Sequence, residues 1–197
     1  MLDPERQEEV LRQVATAAAK RGLAIAPVGS VYFLLVGKPK TSTKDVDTVV
    51  HSSGQDVASF EALLEIAREI GGRVTPGEDR SSVQVGVIRD GVEVGVIDLL
   101  RGREGARGGF LPRSLLREAA SRGRRVGSIV TYPLEYVIVL KADAAVDRED
   151  RSAGKGVAAE TNRQRAEIFK ADVFTLVADA MRAGSLDEPF LRDAIGH

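Results

Sequence analysis

Apolar positions at Val10, Leu11, Val14 and Ala18 recur at the spacing of one buried helix face. Asp3 is a good N-cap, Pro4 suits the first helical position and Gly22 ends the run, which predicts a helix over about 4–21. "LAIAPV" is short and apolar and breaks at Gly29-Ser30. "VYFLLVG" reads as a short helix ending at Gly37, although its β-branched and aromatic content would also suit a strand. "KDVDTVV" is a strand, and His51 after it reads as a surface residue. Val57, Phe60, Leu63, Leu64 and Ala67 predict an amphipathic helix over 57–70, closed by Gly71-Gly72. In "SVQVGVIRDGVEVGVIDLL" two alternating runs meet at Asp90-Gly91, a dipeptide that tolerates the positive φ of a tight hairpin turn.

Beyond the hairpin, residues 113–121 look helical and "RVGSIV" reads as one further strand. Pro133 opens a helix through "LEYVIVLKADAAVDRED", a polar loop follows over 151–159, then a long helix over about 160–183 and a short last helix in "LDEPFLRDAI". Helix and strand alternate over the first part, and from about 133 the pattern is helical throughout. The chain is therefore expected to be α+β, with one region over 1–130 and a helical subdomain over 131–197.

Composition narrows the classes. With 197 residues, 43% of them hydrophobic, the chain can bury a core. No run of eighteen apolar residues exists and the first residues are charged, so the expectation is a soluble, cytoplasmic protein with no membrane partner. Zero cysteines exclude disulfides and thiolate metal sites, and two histidines leave little room for zinc. A single asparagine and abundant Arg and Glu lean toward a thermophilic source. The net charge is −1, but residues 101–125 carry eight arginines (101, 103, 107, 113, 117, 122, 124 and 125) against Glu104 and Glu118, or +6. Such a segment can attract polyphosphate or nucleic acid, though a solvated loop and helix face explains it as well.

The candidate chemistry lies in residues 28–50. In a strand, Asp45 and Asp47 point to one face, with Cα atoms about 6.5 to 7 Å apart, while Val46 points to the core. Paired carboxylates repel one another unless a cation lies between them, and hard oxygen donors without His or Cys favour magnesium or manganese. Gly29 and Ser30 lie where an apolar segment gives way to a helix, a natural site for phosphate. Lys38, Lys40 and Lys44 lie between that site and the carboxylates. A third acid, Asp98, ends the apolar run "VEVGVI". If its strand lies beside 45–50, the three carboxylates are the ligand set of a two-metal centre.

"VGSVYFLLVGKPKTSTKDVDTVV" resembles the signature of the polymerase-beta-type nucleotidyltransferase superfamily: Val28-Gly29-Ser30, a spacer over 31–44, then Asp45-Val46-Asp47-Thr48. "VIDLL" is similar to its later acidic motif. The helical tail, with Leu140, Lys141 and Ala144, resembles the abortive-infection branch, the nucleotidyltransferase toxins of type IV toxin–antitoxin systems. Gln164 and Glu167 stand where that branch usually carries aspartates, and Thr48 where the signature is aliphatic.

The resemblance implies a mixed sheet flanked by helices, with Asp45, Asp47 and Asp98 as metal-binding catalytic residues. It implies a nucleoside triphosphate substrate held by Gly29, Ser30, Lys38, Lys44 and Lys141, a hydroxyl acceptor on RNA, protein or a small molecule, and an antitoxin as partner. Two other readings stay open: a non-catalytic nucleotide- or partner-binding module on the same fold, and a metal-dependent nuclease.

Overall fold

The structure is a computed structural model that describes residues 2–29, 31–35, 43–52, 55–77, 80–102 and 112–195. By contacts the chain divides into two compact units, Met1–Gly102 with Leu116–Tyr132, and Arg103–Leu115 with Pro133–His197.

The first unit is built on a mixed sheet. Its strands are β1 (Ala24–Pro27), β2 (Asp45–His51), β3 (Arg73–Pro76), β4 (Ser82–Arg89), β5 (Val92–Leu100), β6 (Arg124–Val126) and β7 (Ile129–Thr131), in the order β3-β4-β5-β2-β1-β7-β6. β2 runs parallel to β5 and β1 to β7, and the remaining neighbours are antiparallel. The α+β class expected from the pattern is the one observed.

Alternation along the strands decides which face is dry. Val46, Val50, Ile97, Leu99, Val83 and Val85 are fully buried in one cluster with α1 (Pro4–Ala19) and α3 (Phe60–Ile70), through Val14, Leu63 and Ile66 among others. Each such side chain contributes about 1.5 to 3 kcal/mol on burial, so this layer fixes how β2, β5 and β4 lie beside one another. The helix ends follow their caps: Asp3 accepts the Arg6 amide at 3.0 Å and Ser59 the Ala62 amide at 3.2 Å. The approach to β2 is tied down as well, because Leu2 and Thr43 exchange backbone hydrogen bonds at 2.7 and 3.0 Å.

Several local expectations change. "RVGSIV" is not one strand but a hairpin, β6 and β7, turning at Gly127 (φ +61°) and Ser128. β3 is an additional strand paired with β4. α2 (Tyr32–Leu35) settles the ambiguous stretch after Ser30 as helix as far as Leu35, and Gly37 lies outside the described residues. His51 is not on the surface. It is the last residue of β2, 1% exposed, and its ring meets that of Tyr132 edge-on. Nδ1 contacts the Gln55 carbonyl at 3.2 Å and so carries the proton, leaving Nε2 to accept from the Tyr132 hydroxyl. Burial holds this imidazole below the usual histidine range, only partly offset by hydrogen bonds to backbone, and pushes the Tyr132 phenol well above its own. The histidine is a neutral structural link.

In chain order α4 (Arg113–Arg122) comes next, and the second unit packs α5 (Leu134–Arg151) against α6 (Val157–Ala183), followed by α7 (Glu188–Ile195). Lys141 is buried in this unit and paired with Asp172 at 2.9 Å, its ammonium 5.6 Å from the centre of the Phe169 ring. Arg148 donates to Asn162 at 3.1 Å, and the Glu135 carboxylate accepts the Asp187 amide at 3.0 Å ahead of α7. Among the described residues no helix is long and apolar enough to cross a membrane.

One polar atom in the dry layer lacks a partner. Thr48 is 0% exposed, and no donor or acceptor among the described residues reaches its hydroxyl. Valine has the same shape without the stranded group, so Thr48→Val should raise unfolding free energy by about 1 kcal/mol. Urea denaturation at an unchanged slope tests this; a lower midpoint in the variant would show that the hydroxyl is satisfied after all.

Candidate active site

The chemistry gathers on the other face of the sheet, at the point where β2 and β5 begin to run side by side. Their register pairs Asp45 with Val96 and Asp47 with Asp98. Residues paired across strands share a face, and neighbouring strands lie about 4.8 Å apart. All three predicted aspartates therefore project from the same face of two adjacent strands. Each is half-buried, whereas Val49 and His51, further along that face of β2, are buried. The face is closed at one end of β2 and accessible at the other.

Gly29 sits directly against this cluster. Val28 donates its amide to the Asp47 carbonyl at 2.9 Å, which brings the turn after β1 over β2. Gly29 there has φ +63°, and a Cβ added to it would lie 2.3 Å from Oδ2 of Asp47. Glycine is required twice over: for the left-handed backbone and for the room taken by the carboxylate. The nearest obstacle to a side chain here is Asp47 itself.

The Asp98 carboxyl is electrostatically perturbed. Burial pushes its carboxyl above the usual range, the charge of Asp45 adds to that, and a hydrogen bond from the side chain of Gln84 works against both. Gln84 is the residue that sequence reasoning missed. It faces Asp98 across the β4–β5 hairpin, and Thr75 faces Gln84 across β3–β4. A polar row, Asp47–Asp98–Gln84–Thr75, thus crosses four strands.

The other predicted residues distribute differently. Lys44 is exposed one residue ahead of Asp45, and its carbonyl accepts the Val96 amide at 2.8 Å. Ser30, Lys38 and Lys40 lie outside the described residues. Lys141 belongs to the second unit and is engaged with Asp172 there. Within the basic segment, Arg117 pairs with Asp56 at 3.3 Å, Arg122 with Glu118 at 2.8 Å, and Arg101 donates to the Ala58 carbonyl at 3.1 Å.

The donor set suits a hard divalent cation. It consists of carboxylate oxygens, and both ring nitrogens of His51 are already engaged. Among the described residues, no three or more His, Asp or Glu side chains close into a cage around one point. The strand register nonetheless sets the three aspartates on one face of two adjacent strands.

No family model and no curated protein match the chain. Among solved structures, its fold is similar to the solution structure of the antibiotic-resistance factor ANT(2'')-Ia. The TM-score is 0.50 at 16% identity, covering 93% of this chain and 98% of that one. A looser likeness links it to an antigenic nucleotidyltransferase-like protein from Paracoccidioides brasiliensis, with a TM-score of 0.39 at 12% identity over 94% of this chain and 93% of that one. At these identities the first likeness establishes the fold alone.

The raised carboxyl of Asp98 has a consequence for stability. Below the ordinary carboxylate range both native and unfolded states hold the proton, and the group costs nothing. As pH rises, the unfolded state releases its proton first, so stability falls until the native Asp98 has ionised too. Without divalent cations, Asp98→Asn should therefore melt above the wild type at neutral pH, and the gap should shrink as pH drops through the carboxylate range. Melting curves from pH 7 to pH 3 test this; a pH-independent gap would contradict it.

Proposed function

We propose that the protein is a metal-dependent nucleotidyltransferase that moves a nucleoside monophosphate from a nucleoside triphosphate to a hydroxyl group. The observation that carries this reading is the in-register pairing of Asp47 with Asp98, beside Asp45, under a glycine turn that leaves room only for backbone. The likeness of fold supports it, as does the position of Asp45-Val46-Asp47 on β2 beside Asp98.

In this reading Asp45, Asp47 and Asp98 hold magnesium or manganese. When bound, the ions neutralise triphosphate charge and ease ionisation of the acceptor hydroxyl. The chain's own groups do the rest. The Gly29 turn keeps side chains away from the carboxylates, and Ser30 and Lys44 are assigned to the phosphates along with Lys38. Asp98, with its proton affinity raised by burial and by Asp45, is suited to take the hydroxyl proton. The acceptor oxygen then bonds to the α-phosphorus, the bond to the bridging oxygen breaks, and pyrophosphate leaves. Lys141 is assigned to the nucleotide on the resemblance alone, because its ammonium already has Asp172.

The acceptor is RNA, protein or a small molecule. The toxin–antitoxin branch of the resemblance would make it RNA or protein in the cytoplasm, with an antitoxin as partner. Incubation with each labelled nucleoside triphosphate, magnesium and a cell lysate, followed by fractionation, identifies both donor and acceptor. Label should enter one acceptor fraction with wild-type protein and stay at background with Asp47→Asn, whose far-UV spectrum should match the wild type. Equal transfer by a well-folded Asp47→Asn protein would overturn the proposal.

A further inference from the structure

Asp98 has a neighbour on each side. Asp47 lies on β2 and Gln84 on β4, both in register with it. The pairing with Gln84 depends on an irregularity in the hairpin. Next to the Asp90-Gly91 turn, Arg89 pairs with Val92 and Ile88 with Glu93, but the next pair is Val87 with Gly95, so Val94 is the extra residue of a β-bulge on β5. Were the hairpin regular, Asp98 would face Val83, which is fully buried in the dry layer, instead of Gln84. The bulge therefore does two things. It keeps Asp98 on the polar face, and it gives the carboxylate a carboxamide that is itself exposed and has no part in the core.

A half-buried carboxylate flanked by another charge tends to turn toward any available donor. Gln84 faces Asp98 across the ladder, and hydrogen bonding by its side chain draws the proton affinity of Asp98 down. Since a carboxylate only accepts, the amide nitrogen of Gln84 donates. Gln84 thus stands on the side of Asp98 opposite Asp47, in the same row across the sheet.

We propose that Gln84 is a positioning residue of this site: it orients the Asp98 carboxylate for a divalent cation shared with Asp45 and Asp47. The inference rests on the proposed metal-binding reading of the three aspartates. Partners of metal-binding carboxylates typically change metal affinity or activity 10- to 100-fold when removed. A conservative loss such as Gln84→Ala, at an exposed position, should leave the apo fold intact.

The test uses the full chain and manganese as the probe, with melting temperature in EDTA, manganese affinity by titration calorimetry, and transfer kinetics. For Gln84→Ala, melting in EDTA should match the wild type while manganese affinity falls roughly tenfold or more. The triphosphate KM should stay near the wild-type value while kcat falls. Gln84→Glu adds a fourth carboxylate to the row, so it should lower melting in EDTA and regain it as manganese is added. A purely structural glutamine would lower melting in EDTA for the alanine variant and leave manganese affinity unchanged, and that result overturns the proposal. Unchanged affinity and kinetics in Gln84→Ala, with Asp47→Asn still inactive, would refute the role of Gln84 alone. If wild-type protein binds no manganese, the metal-binding reading fails, and with it the role of Gln84.

Discussion

Three like charges held on one face of two adjacent strands are the constraint around which the first unit is arranged. Asp45, Asp47 and Asp98 stand side by side and half-buried, and burial, with the charge of Asp45 adding to it, raises the proton affinity of Asp98. Repulsion of this kind would push β2 and β5 apart if only the polar face were considered. The opposite face prevents it. Val46 and Val50 from β2 and Ile97 and Leu99 from β5 alternate with the acids and lie fully buried against α1 and α3. The side-chain period of two ties the two faces together, so the register that fills the core is the same register that sets Asp47 beside Asp98.

The Gly29 turn and the bulge at Val94 are smaller expressions of the same logic. Each lets backbone pass where a side chain or a regular pairing would displace a carboxylate. The link from His51 to Tyr132, buried further along the same strand face, closes that face beyond the acids. It leaves one accessible end.

Much of this was legible in the residues. The i, i+2 spacing of Asp45 and Asp47 around an apolar Val46 shows their common face without any structure, and Asp90-Gly91 marks the hairpin that delivers Asp98. What stayed hidden depends on tertiary pairing. Strict counting back from the turn places Gln84 opposite Ile97, and only the bulge, which no residue pattern announces, moves it opposite Asp98. His51 looked like a polar residue after a strand because its partners, Tyr132 and the Gln55 carbonyl, come from elsewhere along the chain. "RVGSIV" is too short for a hairpin to show in periodicity, and Gly127-Ser128 was its one signal. The resemblance put Lys141 at the nucleotide; its pairing with Asp172 satisfies the ammonium within its own unit, as a buried charge requires.

The central claim is that the three aspartates form one cation site. A crystal grown with manganese and a non-hydrolysable nucleoside triphosphate analogue tests it most directly, through the anomalous signal of the metal. The account predicts manganese peaks within coordination distance of carboxylate oxygens from Asp45, Asp47 and Asp98 together, with Asp98 still in contact with Gln84. Manganese bound away from these carboxylates, or held by two of them while Asp98 turns from the site, would contradict it.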